Sequence, residues 1–255
     1  MYNLIVLGCG RSGTSMVTGT LATGGYSTGD NNWPADEYNP SGYYEERGIL
    51  ELNAQILASQ TPSPVEKRAP NHPDAQKAPN EARWLSLLDI NTELRLDSHF
   101  LPRMEAYLHS DPFCFKDPQF SYTLGVWKPL LRNTKFICVF RSPSATTRSI
   151  VRYCARFAHF KPMNIDAAYA ESLWLHMYKY ILQRHAQSGE WLFVHYEQMF
   201  DHAVLEQIEQ FAQVKLDHNF PDQRLYKSPP RAQYKGEVAQ IYEELCQRAN
   251  FDDSS

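Results

Sequence analysis

The sequence predicts an α/β fold: a central parallel sheet flanked by helices on both faces, in three layers. Two observations carry this. Short continuous apolar runs recur along the chain: Leu4–Leu7, KFICVF at 135–140 and WLFVH at 191–195. Longer segments with helical spacing separate them. A strand that is apolar at successive residues is buried on both faces, as happens in a parallel sheet between helix layers.

The elements follow in order. Tyr2–Leu7 reads as the first strand, and Thr14–Ala22 as a helix with Met16, Val17, Thr20 and Leu21 on one side. Residues 24–46 are rich in Gly, Asn, Asp, Tyr and Pro and form a long ordered loop. Ile49, Leu52, Ile56 and Leu57 mark the next helix. Residues 60–80 carry five prolines and read as a loop or lid. Helical patterns return at about 81–89 and 99–109, with a short strand at Phe113–Lys116. Lys135–Phe140 is the clearest buried strand of the middle region. Helices are expected at 143–159 and 166–187, then the strand Trp191–His195, then helices near 203–213 and 237–249. No repeat or composition break divides the chain, so residues 1–255 are expected to form a single domain.

Apolar residues make up 43% of the 255, enough for a sizeable core. The net charge of −4 gives no basic excess of the kind that marks nucleic-acid or membrane-surface binders. No apolar run is long enough to span a bilayer. Met1-Tyr-Asn leads straight into the first strand with no signal-peptide pattern. The five cysteines are scattered and odd in number, which fits reduced thiols in the cytoplasm and no metal site.

Between the first strand and the first helix lies Gly8-Cys-Gly-Arg-Ser-Gly-Thr-Ser15. Glycines let a loop turn sharply, so that successive N–H groups converge on one anion. The helix that follows adds its positive end. Ser12, Thr14 and Ser15 offer hydroxyls, and Arg11 a guanidinium fork. The spacing resembles the ATP-type P-loop, so the expected fold is P-loop-like. The P-loop lysine is missing, however, with Arg11 inside the loop instead. Neither KFICVF nor WLFVH ends in an acidic magnesium partner. A cysteine-phosphatase loop is excluded, because it needs arginine six positions after Cys9, where Ser15 stands.

A second cluster follows the middle strand. Arg141 ends KFICVF, and Ser149 lies eight residues on, about two helical turns along the next helix. Both face the crevice at the carboxyl ends of the strands, where open α/β sheets bind ligands.

With these residues in place the chain resembles the sulfotransferases that use 3'-phosphoadenosine 5'-phosphosulfate (PAPS). Gly10-Arg-Ser-Gly-Thr-Ser15 is similar to the family's 5'-phosphosulfate loop, and the Arg141/Ser149 pair to its 3'-phosphate pair. Asn39-Pro-Ser-Gly-Tyr-Tyr-Glu45, Lys116-Asp-Pro118 and Tyr196-Glu197 match further stretches in the same order. The resemblance implies transfer of a sulfonate from PAPS, without a metal, to a hydroxyl or amine of a small-molecule or carbohydrate acceptor. It implies that Gly10, Arg11, Ser12, Gly13, Thr14, Ser15, Arg141, Ser149, Tyr196 and Arg231 hold the donor, with Lys235 near the last of these. Arg11 and Lys116 would offset charge on the leaving oxygen and sulfonate. Pro118 stands where some relatives carry a histidine base, so Glu45 is the first candidate for the base, with Glu46 and Glu37 behind it. Tyr38, Tyr43, Tyr44, Trp33 and Trp84 are candidates to line the acceptor cleft. The competing readings are a magnesium-dependent P-loop kinase or NTPase and a non-catalytic nucleotide-binding protein.

Overall fold

The structure is a computed structural model and describes residues 1–37, 39–62, 64, 80–109, 112–225 and 232–253. The expected lid at 60–80 lies almost wholly outside the described residues.

Among the described residues four strands form one sheet: β1 (Asn3–Leu7), β2 (Cys114–Lys116), β3 (Thr134–Phe140) and β4 (Trp191–His195). Their order is β2-β1-β3-β4, and each neighbouring pair runs parallel. The register sets Val6 beside Lys116, Leu7 beside Cys138, and Phe140 beside His195. All four carboxyl ends therefore fall along one edge. Gly8, Lys116, Arg141 and Tyr196 lie at or just past these ends.

Side chains alternate across the sheet and feed two core clusters. Leu4, Val6, Ile137, Val139 and Val194 pack on one face with Val17 and Leu21 of α1 (Thr14–Thr23) and Leu205 and Ile208 of α7 (His202–Ala212). Ile5, Leu7, Cys138 and Phe140 pack on the other face. There they meet α2 (Arg47–Gln60), α4 (Phe120–Trp127), α5 (Pro143–Cys154), α6 (Ala167–Tyr180) and α8 (Gly236–Ala249). The short α3 (Leu101–Tyr107) adds Met104. This is the expected layering of helices on both sides of a parallel sheet.

Three local expectations change. The segment 81–89 holds only a 3-10 turn at Asn80–Leu85. Its carbonyls are taken by tyrosines instead of helical N–H groups: Tyr169 donates to Leu85 O at 2.7 Å and Tyr122 to Ser86 O at 2.9 Å. The helix expected over 143–159 stops at Cys154, and a separate 3-10 segment, Ala158–Met163, follows. The helix α4 was not expected. All its residues but Gly125 are buried, so it shows no polar face for a periodicity argument to find.

Candidate active site

The loop after β1 is held from behind. Tyr178 on α6 donates to Val139 O at 2.8 Å and accepts from Cys9 N at 3.2 Å, tying the loop to β3. Arg11 and Gly13 both have positive φ, 72° and 94°. Gly13 is the N-cap of α1 and offers no side chain to its first N–H groups. Those donors are left for an anion. Cys9 is fully buried, and burial pushes its thiol pKa up, so it is no nucleophile.

The three loop hydroxyls part company. Ser12 is fully buried, with its Oγ 3.3 Å from Thr146 Oγ1 on α5. Thr14 and Ser15 instead line the open cleft. Arg11 reaches α5 as well: its Nε donates to Ser149 Oγ at 3.4 Å, and its guanidinium lies 5.0 Å from the Tyr153 ring centre. Arg11 and Ser149, 138 positions apart in sequence, thus meet beside the loop.

Arg141 and Tyr196 form the neighbouring group. The Arg141 guanidinium sits 4.5 Å from the Tyr196 ring centre. The ring presses on the loop so closely that a Cβ on Gly13 would come within 2.2 Å of it. His195 positions this tyrosine by accepting from Glu197 N at 3.2 Å and stacking on Phe251. Burial holds the His195 imidazole neutral, with its pKa lowered to about 3. Arg231 lies outside the described residues. Lys235 serves as the N-cap residue of α8, and Tyr234 brings that segment within 3.0 Å of Ser144 Oγ at the start of α5.

Lys116 ends β2 directly under the loop, its side chain 1% exposed. Its Nζ donates to Ser15 Oγ at 3.1 Å and forms a short ion pair with Glu45 Oε1. Burial pushes the Lys116 pKa down, and the Glu45 carboxylate pulls it back up. The other two glutamates are elsewhere. Glu46 caps α2, accepting from Gly48 N at 3.2 Å and Asn31 N at 2.7 Å. Glu37 is exposed on the long loop.

A cleft of about 720 Å3 opens in front of Arg11, Ser15 and Glu45. Trp33, Tyr43 and Trp84 line it as expected, and Pro118 forms part of its floor. Tyr44 turns away to meet Phe220, and Tyr38 lies outside the described residues. Tyr153, Phe157 and Phe160 complete an aromatic wall that the sequence reading missed. Their recurrence at spacings of four and three residues was the available signal, although Tyr153 lies in α5, Phe157 beyond its end and Phe160 in the 3-10 segment that follows. His159 and Asp36 also reach this cleft, and Asp36 accepts from the Tyr43 hydroxyl at 2.8 Å.

The fold and site define an α/β protein with a glycine-rich loop at the carboxyl edge of its sheet and a buried lysine–carboxylate pair at a cleft. The chain belongs to the sulfotransferase family, whose model matches residues 3–243. In fold it is similar to the sulfotransferase domain of the Synechococcus PCC 7002 olefin synthase. That match has 18% identity and a TM-score of 0.53, covering 96% of this chain and 94% of that one. It is also similar to the sulfotransferase domain from the curacin biosynthetic pathway, at 14% identity and a TM-score of 0.50, covering 98% of both chains. No curated protein matches the sequence.

Proposed function

We propose that this chain, acting as one domain, transfers a sulfonate group from PAPS to a hydroxyl or amine of a small-molecule or carbohydrate acceptor. The observation that carries the proposal is the Lys116–Glu45 pair, set between the uncapped start of α1 and the aromatic cleft. The residues fit an anionic nucleotide. Arg11, Lys116 and Arg141 are cations on or beside the loop, Thr14 and Ser15 line the cleft, and the Ser15 hydroxyl accepts from Lys116. Tyr196 offers an aromatic face next to Arg141, fitting an adenine or its 3'-phosphate surroundings. The five cysteines are free, buried thiols, in keeping with a reducing cytoplasm.

When bound, PAPS supplies an activated sulfonate. The chain's own work is to position and to stabilise charge. The loop N–H groups and Arg11 hold the 5'-phosphate. Lys116, a cation almost shielded from water, faces the charge that builds on the leaving oxygen. Glu45 stands between Lys116 and the cleft and takes the acceptor's proton. Trp33, Trp84 and the 153–160 wall keep water from competing.

Two outcomes follow. Glu45→Gln keeps a hydrogen-bond acceptor for Lys116 but cannot take a proton. Its kcat is expected to fall by about 10²–10⁴-fold while affinity for 3'-phosphoadenosine 5'-phosphate stays near wild type. A wild-type kcat would remove Glu45 from the mechanism. For the donor site, calorimetry should give tight binding of 3'-phosphoadenosine 5'-phosphate, weak binding of adenosine 5'-phosphate, and a loss of about 10²-fold in Arg141→Ala. A preference for ATP with magnesium would overturn the proposal in favour of a kinase.

A further inference from the structure

The long loop before α2 folds back on itself at one point. Asn32 and Glu46 form an antiparallel bridge, with Trp33 N donating to Glu45 O at 3.0 Å and Arg47 N to Asn31 O at 3.1 Å. Side chains alternate across such a pairing. Asn32 and Glu46 share one side, where Glu46 caps α2 and Asn32 Nδ2 donates to Gly29 O at 2.8 Å. Trp33, Glu45 and Arg47 share the other, and all three line the cleft.

Arg47 is in an unfavourable place for a cation. It is the first residue of α2, where positive charge opposes the helix dipole. Its side chain is exposed, with the guanidinium 4.3 Å from the centre of the Trp33 ring. Among the described residues that guanidinium has no ion pair and no hydrogen bond. Glu51, one turn along α2 and also in the cleft, accepts from Gln55 Nε2 at 3.0 Å instead. The other two carboxylates of the cleft are engaged as well. Asp36 accepts from the Tyr43 hydroxyl and Asn39 N, and Glu45 pairs with Lys116. Trp33 itself is 37% exposed, unusual for so large an apolar side chain in this protein. A guanidinium stacked on an indole keeps its orientation while the N–H groups at its edge stay open to a ligand.

We propose that Arg47 sets acceptor specificity: it holds an anionic oxygen group of the acceptor, a carboxylate, phosphate or sulfate, while the acceptor's hydroxyl or amine lies at Glu45. The proposal rests on the reading of Glu45 and Lys116 given above and narrows its acceptor to an anionic one. Two residues of extended chain advance about 6–7 Å. The reacting group at Glu45 and the anion at Arg47 therefore fit the two ends of one small molecule. Trp84, Tyr153 and Phe160 line the same cleft, their ring centres 6.1–6.2 Å apart, so the body between those ends is apolar or aromatic. A neutral acceptor leaves Arg47 unused, and a cationic one is repelled by it.

The test is calorimetry on the full chain saturated with 3'-phosphoadenosine 5'-phosphate. The probes share one phenol: 4-hydroxyphenylacetate, 4-hydroxybenzylphosphonate, 4-hydroxyphenylacetamide and tyramine. Each anion is expected to bind about tenfold or more tightly than the amide, with tyramine weakest. The tighter of the two anions identifies the group as carboxylate-like or phosphate-like. In Arg47→Gln the anion-to-amide ratio should fall to about one. Trp33→Leu keeps the charge but removes its platform, and a ratio of about three is expected. A merely structural role for Arg47 would weaken all four probes alike and leave the ratio unmoved. An unmoved ratio, equal affinities in the wild type, or no binding of any probe overturns the proposal. If 3'-phosphoadenosine 5'-phosphate itself does not bind, the sulfotransfer reading fails, and the same ratio measured without it still decides whether Arg47 holds an anion.

Discussion

Lys116→Met is expected to lower kcat by about 10³-fold while leaving the fold intact. A preorganised donor aimed at developing charge contributes about 10²–10³-fold in comparable sites, and this one is a full cation shielded from water. Methionine fills the space of the lysine stem without its charge. Removing one member of a buried ion pair is usually harmful to stability, because the partner is left charged and dry. Here the partner has a way out. Glu45 is 14% exposed at the cleft and can rehydrate. Stability should therefore fall by less than the roughly 3–5 kcal/mol that breaking a fully buried pair costs. Lys116→Arg is not expected to rescue turnover, since a planar guanidinium does not fit a position with 1% exposure. Steady-state kinetics and thermal unfolding of the two variants check both halves. A Lys116→Met enzyme within tenfold of wild type would remove the lysine from the chemistry.

Gly8→Ala is expected to be the most damaging single-methyl change in the loop, costing about 3–5 kcal/mol of stability. Gly8 has φ 147°, and a Cβ there would stand 2.1 Å from Val139 O. That oxygen belongs to the middle of the sheet and cannot retreat. It also receives the Tyr178 hydroxyl at 2.8 Å, so displacing it would loosen the tie that holds Cys9. Gly25→Ala is the control. Its φ is 93° but nothing lies within 4 Å, so only backbone strain of about 1 kcal/mol is expected. Denaturant titration of the pair tests the claim. Equal losses in the two variants would show that strain, and not contact with β3, limits position 8.

Much of this was open to reading because it depends on short-range pattern. The strands β1, β3 and β4 are apolar on both faces and bounded by polar residues, so their positions follow from hydropathy alone. The glycine-rich loop Gly10–Ser15 and the Arg141/Ser149 spacing are likewise short-range patterns in the sequence, while the structure sets Ser149 beside Arg11 and Arg141 on Tyr196. What was not legible depends on long-range packing. The α4 helix hides in the core on nearly every side. The ranking of Glu45 ahead of Glu46 comes from the resemblance; the physical reason that Glu45 meets Lys116 is the cap of α2, where Glu46 is held by Asn31 N and Gly48 N. Ser12 faces α5 while Ser15 lines the cleft, and Gly13, between them, turns the chain with its positive φ.

The contact between Trp84 and Gly10 has a consequence for how this chain can diversify. A Cβ on Gly10 would come within 2.8 Å of the Trp84 ring, so the indole is a lid on the loop as well as a wall of the cleft. Its other edge meets Tyr153 and Phe160. Substitutions at 84 therefore disturb the loop and the cleft together, and on the proposed function a library randomised there should yield mostly dead enzymes. Positions 157 and 159 line the cleft, and the atoms nearest a Cβ on Gly10 belong to Trp84, not to them. On the proposed function they are the positions at which a search for altered acceptor preference should begin.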